Sequence, residues 1–116
     1  MSFLLDTNIC IYIIKKKPIS VINRLSQIPF NEISISIITL AELEYGVRKS
    51  AVPEKNQLAL NDFLKPFSVL NFDYAAAVEY GTIRSSLERK GTPIGQLDTL
   101  IAAHAKSLNL TLVTNN

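Results

Sequence analysis

Four short apolar runs, separated by stretches of helix length, constrain this chain more than any other feature. Phe3-Leu4-Leu5, Ile33-Ser34-Ile35-Ser36-Ile37, residues 67–72 and residues 110–113 are too short for helices and read as strands. Between them, apolar residues recur at helical spacing. Strands that alternate with helices predict an α/β fold whose central sheet is mainly parallel and flanked by helices.

The helix boundaries follow from capping chemistry. Asp6, Thr7 and Asn8 all favour N-cap positions and close the first strand, so a helix over 9–16 is predicted. Pro18 opens a second helix over 19–27. Thr39 is placed to cap a helix over 40–49, with Leu40, Leu43 and Val47 on one face. Pro53 opens the next helix and Pro66 closes it. Asp73 caps a long helix with Ala76, Tyr80, Ile83 and Leu87 as its stripe. Residues 91–95 read as a loop. A last helix over 97–108 turns Leu97, Leu100, Ile101, Ala105 and Leu108 inward.

Composition narrows the class. A chain of 116 residues is expected to be one domain, spanning 1–116, with 47% hydrophobic and 19% charged residues. Disorder and low-complexity architectures are excluded. The formal charge of +2 neither demands nor forbids a nucleic-acid partner. The single cysteine, Cys10, excludes an internal disulfide and a Cys-rich zinc site. No apolar run reaches the roughly 18–20 residues of a membrane span, and the lysines follow the apolar N-terminus instead of preceding it as in a signal peptide. A cytosolic protein with no membrane partner is expected.

Three acidic residues stand out from the other seven, which fall at caps, turns and polar helix faces. Asp6 directly follows the first strand, Glu42 lies early in the helix after the second, and Asp98 opens the helix that feeds the last. In right-handed parallel crossovers all three positions lie at the carboxyl edge of the sheet, where open α/β sheets bind ligands. Clustered carboxylates repel each other unless a cation neutralises them. An all-oxygen donor set favours Mg²⁺ or Mn²⁺, which can activate water for attack on a phosphodiester. The plainer reading makes Asp6 an N-cap and Asp98 a complement to its helix dipole.

The motifs around these acids resemble those of a known family. Leu5-Asp6-Thr7-Asn8, Thr39-Leu40-Ala41-Glu42-Leu43-Glu44-Tyr45-Gly46, Pro93-Ile94-Gly95 with Asp98 and Ile101-Ala102-Ala103-His104-Ala105, and Leu112-Val113-Thr114-Asn115-Asn116 resemble, in order, the four motifs of PIN-domain ribonucleases. The likeness is strongest to VapC-type toxins of bacterial toxin–antitoxin pairs. It implies an endoribonuclease dependent on Mg²⁺ or Mn²⁺, held inactive by a VapB-like antitoxin. It also implies a homodimer, with RNA as the substrate and tRNA as its expected class. By the same resemblance Asp6, Glu42 and Asp98 are catalytic and metal-site residues, and Thr114 is the catalytic hydroxyl beside them.

Two features depart from the family pattern. A fourth acid usually stands near the last strand, whereas Asn115 and Asn116 are neutral. Either a short C-terminal segment lies beyond Asn116 or the fourth ligand is missing. Gln96-Leu97 also replaces the usual polar pair before the third acid. The missing acid supports one rival, a catalytically impaired PIN-like domain that binds RNA or a partner. A second rival, a flavodoxin- or receiver-like α/β domain that binds Mg²⁺ for phosphoryl transfer, should carry a Lys at a late strand end, where this chain has Thr114. Lys15, Lys16 and Lys17 form the densest basic cluster and are the candidate RNA contacts. Cys10 and His104 read as core residues.

Overall fold

A computed structural model describes residues 2–114. Its elements, in chain order, are β1 (Phe3–Leu5), α1 (Thr7–Lys15), α2 (Ile19–Leu25), a 3₁₀ turn (Phe30–Glu32), β2 (Ile33–Ser36), α3 (Ile37–Lys49), α4 (Pro53–Leu64), β3 (Ser68–Leu70), α5 (Tyr74–Arg89), α6 (Gln96–Ser107) and β4 (Thr111–Val113). The strands form one sheet in the order β3-β2-β1-β4. Every pairing is parallel, with Phe3 opposite both Ile33 and Thr111, and Ser34 opposite Ser68. Crossover helices between successive strands make this order possible. The third strand is shorter than the 67–72 expected from sequence.

The two-residue period of the strands divides the core between the two faces of the sheet. Leu5, Ile33 and Ile35 join Ile9, Cys10, Leu43, Val47 and Leu60 beneath α1, α3 and α4. Leu4 packs on the other face with Ile101 and Ala105 of α6. A fully buried Leu or Ile contributes about 1.5–3 kcal/mol, so the first face carries most of the hydrophobic stabilisation. Cys10 is a fully buried member of that core, as its sequence setting suggested.

The alternation of β2 does not separate a buried face from a wet one. All four residues are buried, and Ser34 and Ser36 lie at 0% exposure on the α6 side. Ser36 then ends the strand: its Oγ accepts from the Ile38 amide at 3.0 Å and caps α3. This corrects the expected cap at Thr39, which is buried within the first turn of α3. Both residue types cap helices well, and the tertiary position of the strand end decides between them. Asp73 caps α5 as expected, accepting from Ala76 N at 3.0 Å.

Helix α6 is rotated from its expected orientation. Thr99, Ile101, Ala103, His104 and Ala105 are buried, while Leu97 and Leu108 are 45% and 43% exposed. The serine face of β2 explains the rotation, because it offers room and hydrogen bonds for His104. Asn109 takes the left-handed conformation that turns the chain from α6 into β4, which Asn tolerates better than most residues. Among the described residues, no helix is long and apolar enough to cross a membrane.

Candidate active site

At the carboxyl edge of the sheet, Asp6 is fixed by its own backbone and by α1. Its N–H donates to Val113 O of β4 at 3.1 Å, and its Oδ1 accepts from Ile9 N at 2.8 Å. Asp6 is therefore a true N-cap. The cap engages Oδ1, and Oδ2 takes no hydrogen bond among the described residues. The Asp6 charge and, above all, burial push the Cys10 thiol up, so Cys10 stays protonated.

Thr7, the first residue of α1, connects this corner to α3. Its Oγ1 donates to Glu42 Oε1 at 2.6 Å, a short charge-assisted bond. Thr7 Oγ1 also lies 3.4 Å from the hydroxyl of buried Thr39. A hydroxyl has one hydrogen, so with that hydrogen given to Glu42, Thr7 meets Thr39 as an acceptor. Sequence reasoning treated Thr7 and Thr39 as capping residues. In the structure they form a relay that orients Glu42, and no local signal pairs residues so far apart in the chain.

Asp98 stands in the first turn of α6 and is exposed. The helix begins at Gly95, which offers no side-chain cap. The Asp98 carboxylate folds back over this glycine, with Oδ2 3.3 Å from where a Cβ on Gly95 would stand. An acid at this position complements the helix N-terminus. Its setting differs from that of the other two acids: every residue from 88 to 98 is exposed. Among the described residues, no three carboxylate, imidazole or thiol groups lie within reach of one cation.

Glu42 opens onto a cleft of about 350 Å³ lined by Ile14, Lys15, Leu43, Gly46 and Leu60 among others. Lys15 thus shares a cleft with the acid, while Lys16 and Lys17 are exposed outside it. Thr114 follows β4 and is exposed. It lines a separate cleft of about 470 Å³ with Phe3, Ile9 and Val113. Asn115 and Asn116, where a fourth acid was looked for, lie outside the described residues.

Comparison with known proteins places this geometry in context. The PIN domain profile matches residues 3–116. The chain is 47% identical over 116 residues to a tRNA(fMet)-specific endonuclease VapC of Shigella flexneri, covering 100% of this chain and 87% of the relative. It is 49% identical over 117 residues to ribonuclease VapC2 of Rickettsia felis, with the same coverage. Among solved structures, VapBC2 of Rickettsia felis bound to a promoter DNA fragment superposes with a TM-score of 0.93 at 48% identity, over 100% of this chain and 89% of that one. DNA-bound VapBC of Salmonella typhimurium gives 0.92 at 46% identity, over 100% and 87%. A match that runs the length of the chain, in sequence and in fold, means that this protein belongs to the PIN-domain family, in its branch of VapC ribonucleases.

Proposed function

We propose that this chain is the endoribonuclease toxin of a VapBC-type pair, hydrolysing RNA phosphodiester bonds with Mg²⁺ or Mn²⁺ in the cytoplasm. The observation that carries the reading is the Thr7–Glu42 bond beside Asp6, which holds two carboxylates at the ligand-binding edge of the sheet. The relatives named VapC ribonuclease support RNA as substrate, and the one named tRNA(fMet)-specific supports tRNA as its class. The VapBC structures support a VapB-like antitoxin as partner. The family resemblance supports a homodimer.

The donor chemistry fits a hard divalent cation. All three candidate ligands, Asp6, Glu42 and Asp98, offer carboxylate oxygens. Mg²⁺ is ordinarily held through one or two carboxylates together with waters and substrate phosphates, so a pair at Asp6 and Glu42 suits it without a three-acid cage. When bound, such an ion supplies a water nucleophile and charge stabilisation at the phosphodiester. The residues of the chain do the rest. The α1 cap fixes Asp6, Thr7 orients Glu42, and Asp98 brings a third negative charge from α6. Thr114 supplies a hydroxyl next to the strand end that bonds Asp6. Lys15 places an ammonium at the cleft to attract an RNA backbone, with Lys16 and Lys17 extending the basic surface.

Incubation of the purified protein with total tRNA and with messenger RNA, each with Mg²⁺ or with EDTA, tests this reading. Cleavage is expected with the metal and absent in EDTA. Cleavage that persists in EDTA would refute the metal mechanism, and no cleavage under either condition would favour the impaired, binding-only rival.

A further inference from the structure

His104 is buried to 1% exposure in the middle of α6. Its Nδ1 lies 2.7 Å from Ser36 Oγ, the hydroxyl that caps α3. Its Nε2 is buried without a hydrogen-bond partner among the described residues. The ring meets Phe72 edge-on at 5.4 Å between centroids. An apolar side chain would fill this space without leaving a buried polar atom unsatisfied at a cost in stability. The imidazole is therefore a poor choice for packing alone, and its one hydrogen bond to a side chain among the described residues is the bond to Ser36.

Because Ser36 Oγ already accepts from the Ile38 amide, its hydroxyl hydrogen is available to His104 Nδ1. With that hydrogen given to Nδ1, the ring is neutral and carries its proton on Nε2. Burial lowers the affinity of the ring for a second proton, against the weaker opposing influences of the Asn71 backbone and the Asp73 charge.

We propose that His104 is a positioning residue for the nuclease site, fixing α6 on the Ser36 cap and thereby setting where Asp98 stands relative to Glu42. The claim rests on the function proposed above. Asp98 precedes His104 by six residues, and Glu42 follows Ser36 by six. Each acid therefore sits at the end of a helical arm about 9 Å long that starts from the same hydrogen bond. A change of about 10° at that vertex moves an acid by about 1.5 Å. Misplacements of that size cost up to about a hundredfold in rate.

The experiment uses the full chain and three variants, Ser36→Ala, His104→Phe and His104→Asn, each checked by thermal melting. His104 is the single histidine, so ¹⁵N NMR of its ring reads one residue without assignment work. The parent is expected to show the neutral ring protonated on Nε2. His104→Phe and Ser36→Ala are expected to lower kcat on tRNA by roughly ten- to a hundredfold with KM little changed, and to weaken Mn²⁺ binding. His104→Asn, whose amide can still meet Ser36, is expected to restore most of both. Parent-like kcat and Mn²⁺ affinity in Ser36→Ala would overturn the proposal. So would a ring protonated on Nδ1 in the parent, or losses no larger than the unfolded fraction explains. If His104→Phe does not fold, Ser36→Ala and His104→Asn decide the matter. A parent that cuts no RNA refutes the nuclease reading instead, and the Mn²⁺ affinities alone then judge the positioning claim.

Discussion

The start of α1 and the start of α6 both present an acid at the carboxyl edge of the sheet, yet they are held by opposite means. Asp6 caps its own helix, bonds β4 through its backbone, and has beside it a threonine that reaches across to Glu42 on α3. Asp98 leans on the glycine that begins its own helix, at the end of an exposed stretch from 88 to 98. The first turn of α6 is tied locally, with Thr99 donating to Gly95 O through its amide at 2.9 Å and its hydroxyl at 2.8 Å, and to α5 by one exposed bond, from Gln96 Nε2 to Tyr80 Oη at 3.5 Å. One half of the candidate site is held by tertiary hydrogen bonds, and the other takes its position from where a helix lies.

The comparison breaks first at Asp6. Asp6→Asn keeps a good N-cap but removes the charge, so the melting temperature should stay near that of the parent while cleavage falls at least about a hundredfold. Assaying rate and melting on the same preparation checks this, and a parallel fall of both would make Asp6 only a cap. Thr7→Val comes next. It strips Glu42 of a charge-assisted bond worth about 1.5–3 kcal/mol and leaves Thr39 without its neighbour. Stability should fall within that range and cleavage by roughly tenfold. Denaturant unfolding beside a cleavage assay measures both.

A smaller effect comes with pH. The His104 proton affinity is lowered in the folded chain, so folding favours the neutral ring. Its contribution to stability is complete above the ordinary histidine range near 6.5 and is lost as pH falls through that value and then through the depressed folded one. Thermal melts stepped downward from pH 7.5 should show an acid-side loss that is absent in His104→Phe. An unchanged acid limb in the variant would assign the loss to carboxylates.

How legible these features were in the sequence depended on how local their causes are. The strand–helix alternation, the Asp73 cap and the apolar side of β2 follow from neighbouring residues and are visible in the chain itself. The place of Asp6 at a strand end was equally plain, because the motif that follows Phe3-Leu4-Leu5 is made of cap formers. The Thr7–Glu42 bond was not legible, since it joins residues on different elements whose separation only the folded sheet sets. The choice of Ser36 over Thr39 as cap depends on where the folded strand ends, and the turning of Leu97 and Leu108 toward solvent on how α6 packs against the serine face of β2; both are tertiary facts. The alternation of Ile33 to Ser36 marked a strand and left the fate of its serine side open, because a pattern of polar and apolar residues does not reveal that a buried histidine waits on the polar side.

The central proposal is that a divalent cation held at the Asp6 and Glu42 pair also draws on the charge of Asp98, and the most direct test is a comparison of melts with and without Mg²⁺ for the parent and Asp98→Asn. With Mg²⁺ at about 100 times its Kd, the parent should gain roughly 2.7 kcal/mol. Asp98→Asn, relieved of like-charge repulsion, should be at least as stable as the parent without metal and gain clearly less from it. A parent that shows no Mg²⁺ shift, or a variant that shifts as far as the parent, would contradict the claim.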